Sequence, residues 1–244
     1  MVELAIIGGS GLDSLQGLEI SHTEQVHTPY GEPSGPITYG KISGREIVFL
    51  PRHGIDHTIA PHQINYRANI HVLKSIGVEQ IIAIAAVGGI TEPMQAGTIV
   101  IPDQIVDYTW SRQHTFFDAP SDPVVHIDFT RPYCEDLRQQ LIGSANRIKL
   151  SIVAQGTYAA TQGPRLETAA EISRLQRDGC DLVGMTGMPE ASLARELDIC
   201  YASCCVVANR AAGKVAGEIN MQQITAVLER SMGQVRSLLS EVIQ

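Results

Sequence analysis

The amino-acid sequence predicts an α/β protein with a mixed central β-sheet flanked by helices, the chain 1–244 forming a single domain. Three observations carry this expectation. Short apolar runs of strand length alternate with longer runs whose apolar residues recur at helical spacing. One early pair of alternating runs is joined by Ser43-Gly44, as in a β-hairpin, so the sheet is not wholly parallel. Finally, the 244 residues are 44% hydrophobic and 18% charged, with no linker-like stretch, internal repeat or low-complexity segment, which suits one well-packed core.

The elements follow in order. Residues 4–7 form a short apolar strand that runs into Gly8-Gly9-Ser10-Gly11, a way of presenting backbone N–H groups to a phosphate. Residues 22–40 are polar and turn-rich, and residues 37–42 and 45–50 make the hairpin, whose second strand ends in the cationic tip Arg52-His53. A helix is expected from Ala60-Pro61-His62, with Ile64, Ala68, Val72, Leu73 and Ile76 on one face and Gly77 as its stop. Residues 80–87 are a buried strand ending at Gly88-Gly89, and residues 98–101 and 105–108 flank a bend at Pro102-Asp103. Residues 110–131 lack periodicity and form a long excursion carrying His126, a length that usually serves a site or an interface.

In the second half, residues 132–147 read as a helix and 153–161 as a strand that Gly163-Pro164 breaks. Thr168 opens a helix with Ala169, Ile172 and Leu175 at its spacing, and Gly179 stops it. Residues 181–186 look like a buried strand, residues 199–207 are a strand ending at Asn209-Arg210, and a carboxy-terminal helix begins at Met221.

Several classes are disfavoured. A formal net charge of −8 argues against nucleic acid or an anionic membrane as partner, and no apolar run has the length of a membrane span. The start MVELAIIGG lacks the basic segment of a signal peptide, so the expected location is cytoplasmic. Cys134, Cys180, Cys200, Cys204 and Cys205 are odd in number, contain no C-x-x-C pair and fall largely in an apolar strand; this is the pattern of reduced core thiols. His53, His57 and His62 are separated by Gly54 and Pro61 and have no completing carboxylate or cysteine pair, so no metal site is expected. The dinucleotide fingerprint has Ser14 where its third glycine belongs, and the G-x-S-x-G hydrolase elbow is absent.

What remains is a set of strand tips: Gly8 to Ser10, Arg52-His53, Ala85 to Gly89, Met185-Thr186 and Asn209. If these strands share a sheet and end on one side, the tips converge. The Ser10 and Thr186 hydroxyls, the Arg52 guanidinium, His53 and the N–H groups around Ala86 then suit a tetrahedral oxyanion. A non-catalytic binding module that keeps these tips is the alternative from another class.

The tips match a family in order and spacing. IIGGSGLD at 6–13, RHGIDHTIAPHQINYRAN at 52–69, AAVGGI at 85–90, GTIVIPDQIVD at 97–107, TQGPRLET at 161–168 and VGMTGMPEASLARE at 183–196 carry the likeness. Over almost its full length the chain resembles the trimeric purine nucleoside phosphorylase and 5′-methylthioadenosine phosphorylase family. The resemblance implies reversible phosphorolysis, in which phosphate attacks C1′ of a purine nucleoside, with phosphate as co-substrate and no metal or organic cofactor. It implies a phosphate site from Ser10, Arg52, His53, Ala85, Ala86 and Thr186, and a ribose contact at Met185. It also implies a homotrimer in which His126 reaches a neighbouring subunit's ribose end.

The base and 5′ pockets separate the family's branches. Where the methylthioadenosine branch carries two aspartates, this chain has Asn209 and Ala211; where that branch has a small hydroxyl residue, it has Glu167, beside Leu166. Glu167 and Asn209 resemble the 6-oxopurine branch. N1 of hypoxanthine is a donor and meets a carboxylate, whereas N1 of adenine is an acceptor, and such a mismatch costs about 1–3 kcal/mol. Asn209 can donate to N7 or O6 as the leaving base gains charge, so Asn209 and His53 are the expected catalytic residues. At the 5′ end, the inosine and guanosine enzymes use a late histidine, yet no histidine follows His126 here; Met221 and Ile224 stand in that stretch and suit a thioether. Their helical spacing also fits ordinary helix core. The combination predicts 5′-methylthioinosine as substrate, with 5′-methylthioadenosine, or inosine and guanosine, as the alternatives.

Overall fold

Short β-branched and alanine-rich runs form one mixed sheet, and longer amphipathic runs cover its faces. The computed structural model describes residues 2–9, 17–118, 120 and 123–243. In chain order these carry β1 (Leu4–Gly8), β2 (Glu19–Glu24), β3 (Ile37–Ile42), β4 (Arg45–Pro51), α1 (Tyr66–Ser75), β5 (Gln80–Gly89), β6 (Ile99–Val100), β7 (Gln104–Asp107) and α2 (Glu135–Arg147). They continue with β8 (Ile152–Val153), β9 (Thr157–Ala160), α3 (Ala169–Arg177), β10 (Leu182–Gly184), α4 (Gly187–Glu196), β11 (Cys200–Arg210) and α5 (Met221–Ile243).

The sheet is organised around β5, whose sequence QIIAIAAVGG is apolar on both faces because both are covered. Along one edge it pairs in parallel with β11. The other edge is shared: β1 runs parallel to it as far as the pair Ile7↔Ala83, and β10 runs antiparallel to it from Val183↔Gly88. β4 lies parallel to β1, and the antiparallel pairs β3/β4 and β2/β3 extend the sheet outward. On the far side β9 and β7 continue from β10, both pairings parallel. One core cluster joins Ile70, Leu73, Ala191 and Leu193 of α1 and α4 to Ile7, Leu50, Ile81 and Val207 of the sheet. The other joins Leu137 and Leu141 of α2 and Val235, Leu238 and Leu239 of α5 to Ile6, Phe49, Ile82 and Cys204.

The structure departs from the sequence expectations at identifiable places. β2 occupies part of the stretch expected to be turn-rich; all six residues are exposed on the sheet edge, so pairing through the backbone leaves no apolar pattern. α1 starts at Tyr66 and not near Ala60, because the Asn65 side chain accepts from the Ala68 N–H (3.1 Å) and caps the helix there. The expected strand over 153–161 is split into β8 and β9, which pair with different neighbours. α4 had no sequence signal as a helix: its residues are buried on nearly every side, and Met188 breaks the helical backbone.

The expectation of reduced thiols is overturned for two of the five cysteines. Cys134, at the amino end of α2, forms a disulfide with Cys200, at the start of β11, 66 residues later. Donation from the Cys134 N–H to the Tyr201 carbonyl (2.8 Å) draws these elements together, a long-range contact that spacing in sequence does not reveal. Cys180, Cys204 and Cys205 are free and buried. No described helix is long and apolar enough to cross a membrane.

Candidate active site

The shared edge of β5 opens the site. Between the end of β1 and the start of β10, residues 84–87 face no strand on that edge. Residues two apart in a strand present their N–H and C=O groups to the same side, so Ile84 and Ala86 both direct theirs into the gap. β4 and β11 point their carboxyl ends the same way as β5, whereas β10 arrives from the opposite direction. The tips therefore converge without all the strands ending on one side: β10 delivers Met185 and Thr186 into the gap head-on toward Gly9. A cavity of about 700 Å³ lies there, lined by Gly9, Arg52, His53, Ala85, Ala86, Met185, Thr186 and Asn209. Such a volume suits a small-molecule site.

Arg52 is 1% exposed and its guanidinium is held on two sides. Its Nε and Nη2 donate to the two carboxylate oxygens of Glu190 (2.7 and 2.8 Å), and Nη1 donates to the Ile84 carbonyl in the gap (2.8 Å). Burial works against the Arg52 charge, but the Glu190 carboxylate raises its pKa above the ordinary value. Stripping either partner from such a buried pair costs about 3–5 kcal/mol. Gly9 is required for this approach, since a Cβ there would lie 2.5 Å from the Ile84 oxygen and 2.9 Å from Arg52 Nη1.

His53 places Nδ1 at 2.8 Å from the Ile59 carbonyl. A carbonyl only accepts, so Nδ1 carries the proton. Burial, and then the neighbouring Arg52 charge, hold the imidazole pKa down to about 4, so the ring is neutral at pH 7 and Nε2 is an acceptor. Thr186 precedes α4 without spending its hydroxyl on a cap bond; it lines the cavity with its side chain beside the Tyr158 hydroxyl, to which its N–H donates (3.4 Å). Ser10 lies outside the described residues.

The base side is built from the β9–α3 connection and the end of β11. Glu167, Leu166 and Pro164 line the same cavity, as do Asn209 and Ala211. One Glu167 oxygen accepts from the Thr161 hydroxyl (2.6 Å), which orients the carboxylate and leaves its second oxygen for a ligand. The register shift between Val207 and Asn209 in the β11–β5 pairing re-aims Asn209, whose amide donates to the Arg210 carbonyl (2.8 Å). Gly163, at φ +62°, lets this connection press on Met185; a Cβ would lie 2.5 Å from the methionine sulfur. Met221 and Ile224, at the start of α5, line the cavity too. Met221 is 63% exposed, so it is no part of the helix core. His126 is exposed, and the cavity formed by this chain does not include it.

Four functional side chains escaped the sequence reading. Glu190 and Tyr201 hold Arg52 from behind: the Tyr201 hydroxyl donates to Glu190 Oε1 (2.9 Å). His57 lines the cavity, its ring 4.5 Å from that of His53. Arg112, from the long excursion, donates to the carbonyls of Met185 (2.8 Å), Met188 (2.6 Å) and Gln162 (2.9 Å), tying the ends of β9 and β10 to α4. Glu190 and His57 stood within the quoted motifs at 183–196 and 52–69; Tyr201 and Arg112 are brought in by tertiary packing. Among the described residues no cluster of three His, Cys, Asp or Glu could hold a metal.

The site can thus hold an oxyanion against Arg52, the Ala86 N–H and Thr186, and a donor-bearing ligand in the part of the cavity that Glu167 and Asn209 line. Residues 3–244 match the family described as the phosphorylase superfamily. A protein of Pseudomonas syringae pv. tomato named "Probable S-methyl-5'-thioinosine phosphorylase" is 52% identical, the match covering 100% of this chain and 99% of that protein. The 6-oxopurine nucleoside phosphorylase of Pyrococcus furiosus is 44% identical over 100% of this chain and 92% of its own. The solved structure of methylthioadenosine phosphorylase from Schistosoma mansoni in complex with adenine has a TM-score of 0.95 at 33% identity, covering 100% of this chain and 91% of the other. With its fold and its full length accounted for, the chain belongs to the phosphorylase superfamily and has the nucleoside phosphorylase fold.

Proposed function

We propose that this chain is a pentosyltransferase that cleaves 5′-methylthioinosine with phosphate to hypoxanthine and 5-methylthioribose 1-phosphate. The observation that carries the choice of base is the Glu167 carboxylate, oriented by Thr161 (2.6 Å) in the cavity it shares with Asn209. An ionised carboxylate accepts from N1–H of a 6-oxopurine and repels the N1 lone pair of adenine. Met221 and Ile224 supply the soft apolar contact for a 5′-thioether. Several relatives share the name S-methyl-5'-thioinosine phosphorylase, among them one from Xanthomonas campestris pv. campestris that is 47% identical.

In this reading phosphate sits against Arg52, the Ala86 N–H, Thr186 and Ser10, with His53 Nε2 accepting from a phosphate hydroxyl. A phosphate oxygen forms the new bond to C1′ while the C1′–N9 bond breaks and its electron pair leaves with the purine, which takes up a proton from water to give hypoxanthine. The ribosyl centre passes through an oxocarbenium-like state that the anion stabilises from below, and Asn209 donates to the base as it gains negative charge. Phosphate is the co-substrate, and the reaction as written needs no metal or organic cofactor. The working assembly is a homotrimer, with His126 of one subunit meeting the ribose end of a neighbour's site, in cytoplasmic salvage of purines and methylthio-nucleosides.

A second reading, a 6-oxopurine nucleoside phosphorylase acting on inosine and guanosine, is favoured by the exposure of Met221, which leaves the 5′ side open to a hydroxyl. Phosphate-dependent release of base from methylthioinosine, methylthioadenosine and inosine, measured side by side, separates the readings. Methylthioinosine is expected to have the highest kcat/KM. Faster cleavage of methylthioadenosine would sink the assignment, and faster cleavage of inosine would favour the second reading.

A further inference from the structure

We propose that Glu190, which is outside the cavity wall, is the positioning residue of the phosphate site, fixing Arg52 for the anion with Tyr201 as its backstop. The inference rests on the phosphorolysis reading for what the anion is, and on the geometry for the rest. Glu190 is fully buried and both its oxygens are engaged: Oε2 by Arg52 Nε (2.7 Å), Oε1 by Arg52 Nη2 (2.8 Å) and by the Tyr201 hydroxyl (2.9 Å). With Nη1 on the Ile84 carbonyl (2.8 Å), three of the five guanidinium donors are committed, leaving one N–H on each of Nη1 and Nη2. Arg52 lines the cavity, and Glu190 and Tyr201 do not.

A flexible arginine would lose rotamer freedom each time an anion bound; this one loses it on folding. Stability alone does not account for the arrangement, because apolar residues of similar volume commonly replace a buried ion pair at no cost. Glu190 also cancels most of the local charge of Arg52, so the site recognises its anion by oriented donors rather than by net positive charge. Burial, and then Glu190, raise the Tyr201 hydroxyl well above its ordinary pKa, so it remains a donor to the carboxylate at all working pH values.

The test is a set of steady-state and binding measurements on Glu190→Gln, Glu190→Asp and Tyr201→Phe. Glu190→Gln is expected to raise KM for phosphate by about tenfold or more while KM for the nucleoside stays within about twofold, and Tyr201→Phe to raise KM for phosphate about two- to fivefold. Glu190→Asp, which keeps the charge, should recover part of the loss. In an Arg52→Gln background Glu190→Gln should add little, because Glu190 acts through Arg52. Calorimetric titration with inorganic phosphate alone should show the same order of affinities. Equal changes in both KM values, additive effects in the Arg52→Gln background, or unchanged phosphate binding in Tyr201→Phe would overturn the proposal, the last holding even if the Glu190 variants do not fold. A wild-type protein that binds phosphate yet cleaves none of the three nucleosides refutes the substrate reading alone; one that binds no phosphate refutes the positioning role.

Discussion

At the residue scale, the proposed function gives two side chains the choice of base, and one side chain links stability to pH. Glu167 and Asn209 line one cavity, so exchanging both reverses the donor and acceptor pattern offered to the purine. Asn209→Asp with Glu167→Ser is expected to move the kcat/KM ratio toward the 6-amino nucleoside by about tenfold to more than a hundredfold, corresponding to about 1–3 kcal/mol; an unmoved ratio would place the base elsewhere. His53 titrates near 4 in the folded chain, from an ordinary 6.5, through burial and then the Arg52 charge, with His57 adding to and Glu190 opposing the effect. The unfolded chain therefore binds more protons than the folded one below pH 6.5. The stability linked to His53 is present above pH 6.5 and is lost as pH falls through 4, by at most about 3 kcal/mol. Thermal melts between pH 7 and 4.5 should fall more steeply for the wild type than for His53→Gln, and parallel curves would rule this out.

At the element scale, the disulfide and α4 do what local pattern does not announce. The Cys134–Cys200 bridge ties the start of α2 to the start of β11 across 66 residues. Closing a loop of that length typically stabilises a domain by about 2–4 kcal/mol through the unfolded chain. Cys134→Ser should lower Tm by about 4–16 °C at this chain length, and reductant should lower the wild-type Tm by the same amount while leaving the variant unmoved; no difference between the two proteins would show that the thiols are reduced in solution. β1, β5 and β11 were legible as continuous apolar runs of strand length, and the β3–β4 hairpin, α3 and α5 by the periods of their apolar residues. β2 and α4 were not, for opposite reasons: one buries no side chain, and the other buries nearly all of its residues, so neither shows an amphipathic period. Because α4 was missed as an element, Glu190 went unrecognised as the partner of Arg52, although both stood within quoted motifs.

At the scale of the molecule, the site is a gap in one strand's edge into which separate tips are delivered, and its parts were legible as tips long before their contacts were. Arg52, His53, Thr186 and Asn209 sit at strand ends and line one cavity with Ala86 of the β5 gap, whereas Arg112 and Tyr201 arrive through packing between segments far apart in sequence. One expected residue does not meet the others within a single chain. His126 lies exposed in an excursion that also leaves Trp110 at 65% and Val124 at 83% exposure, apolar surface that a neighbouring subunit would cover in the proposed trimer. If His126 works across an interface, the two halves of a site belong to different chains, and two defective chains can complete each other. His126→Ala is expected to raise KM for the nucleoside, and Arg52→Ala to abolish phosphorolysis. Co-refolding the two variants should then rebuild intact sites wherever a chain with Arg52 adjoins one with His126, restoring wild-type KM to a fraction of the sites. A mixture whose kinetics are only the sum of the two separate variants, with light scattering confirming that they have mixed, would mean that His126 serves its own chain or none.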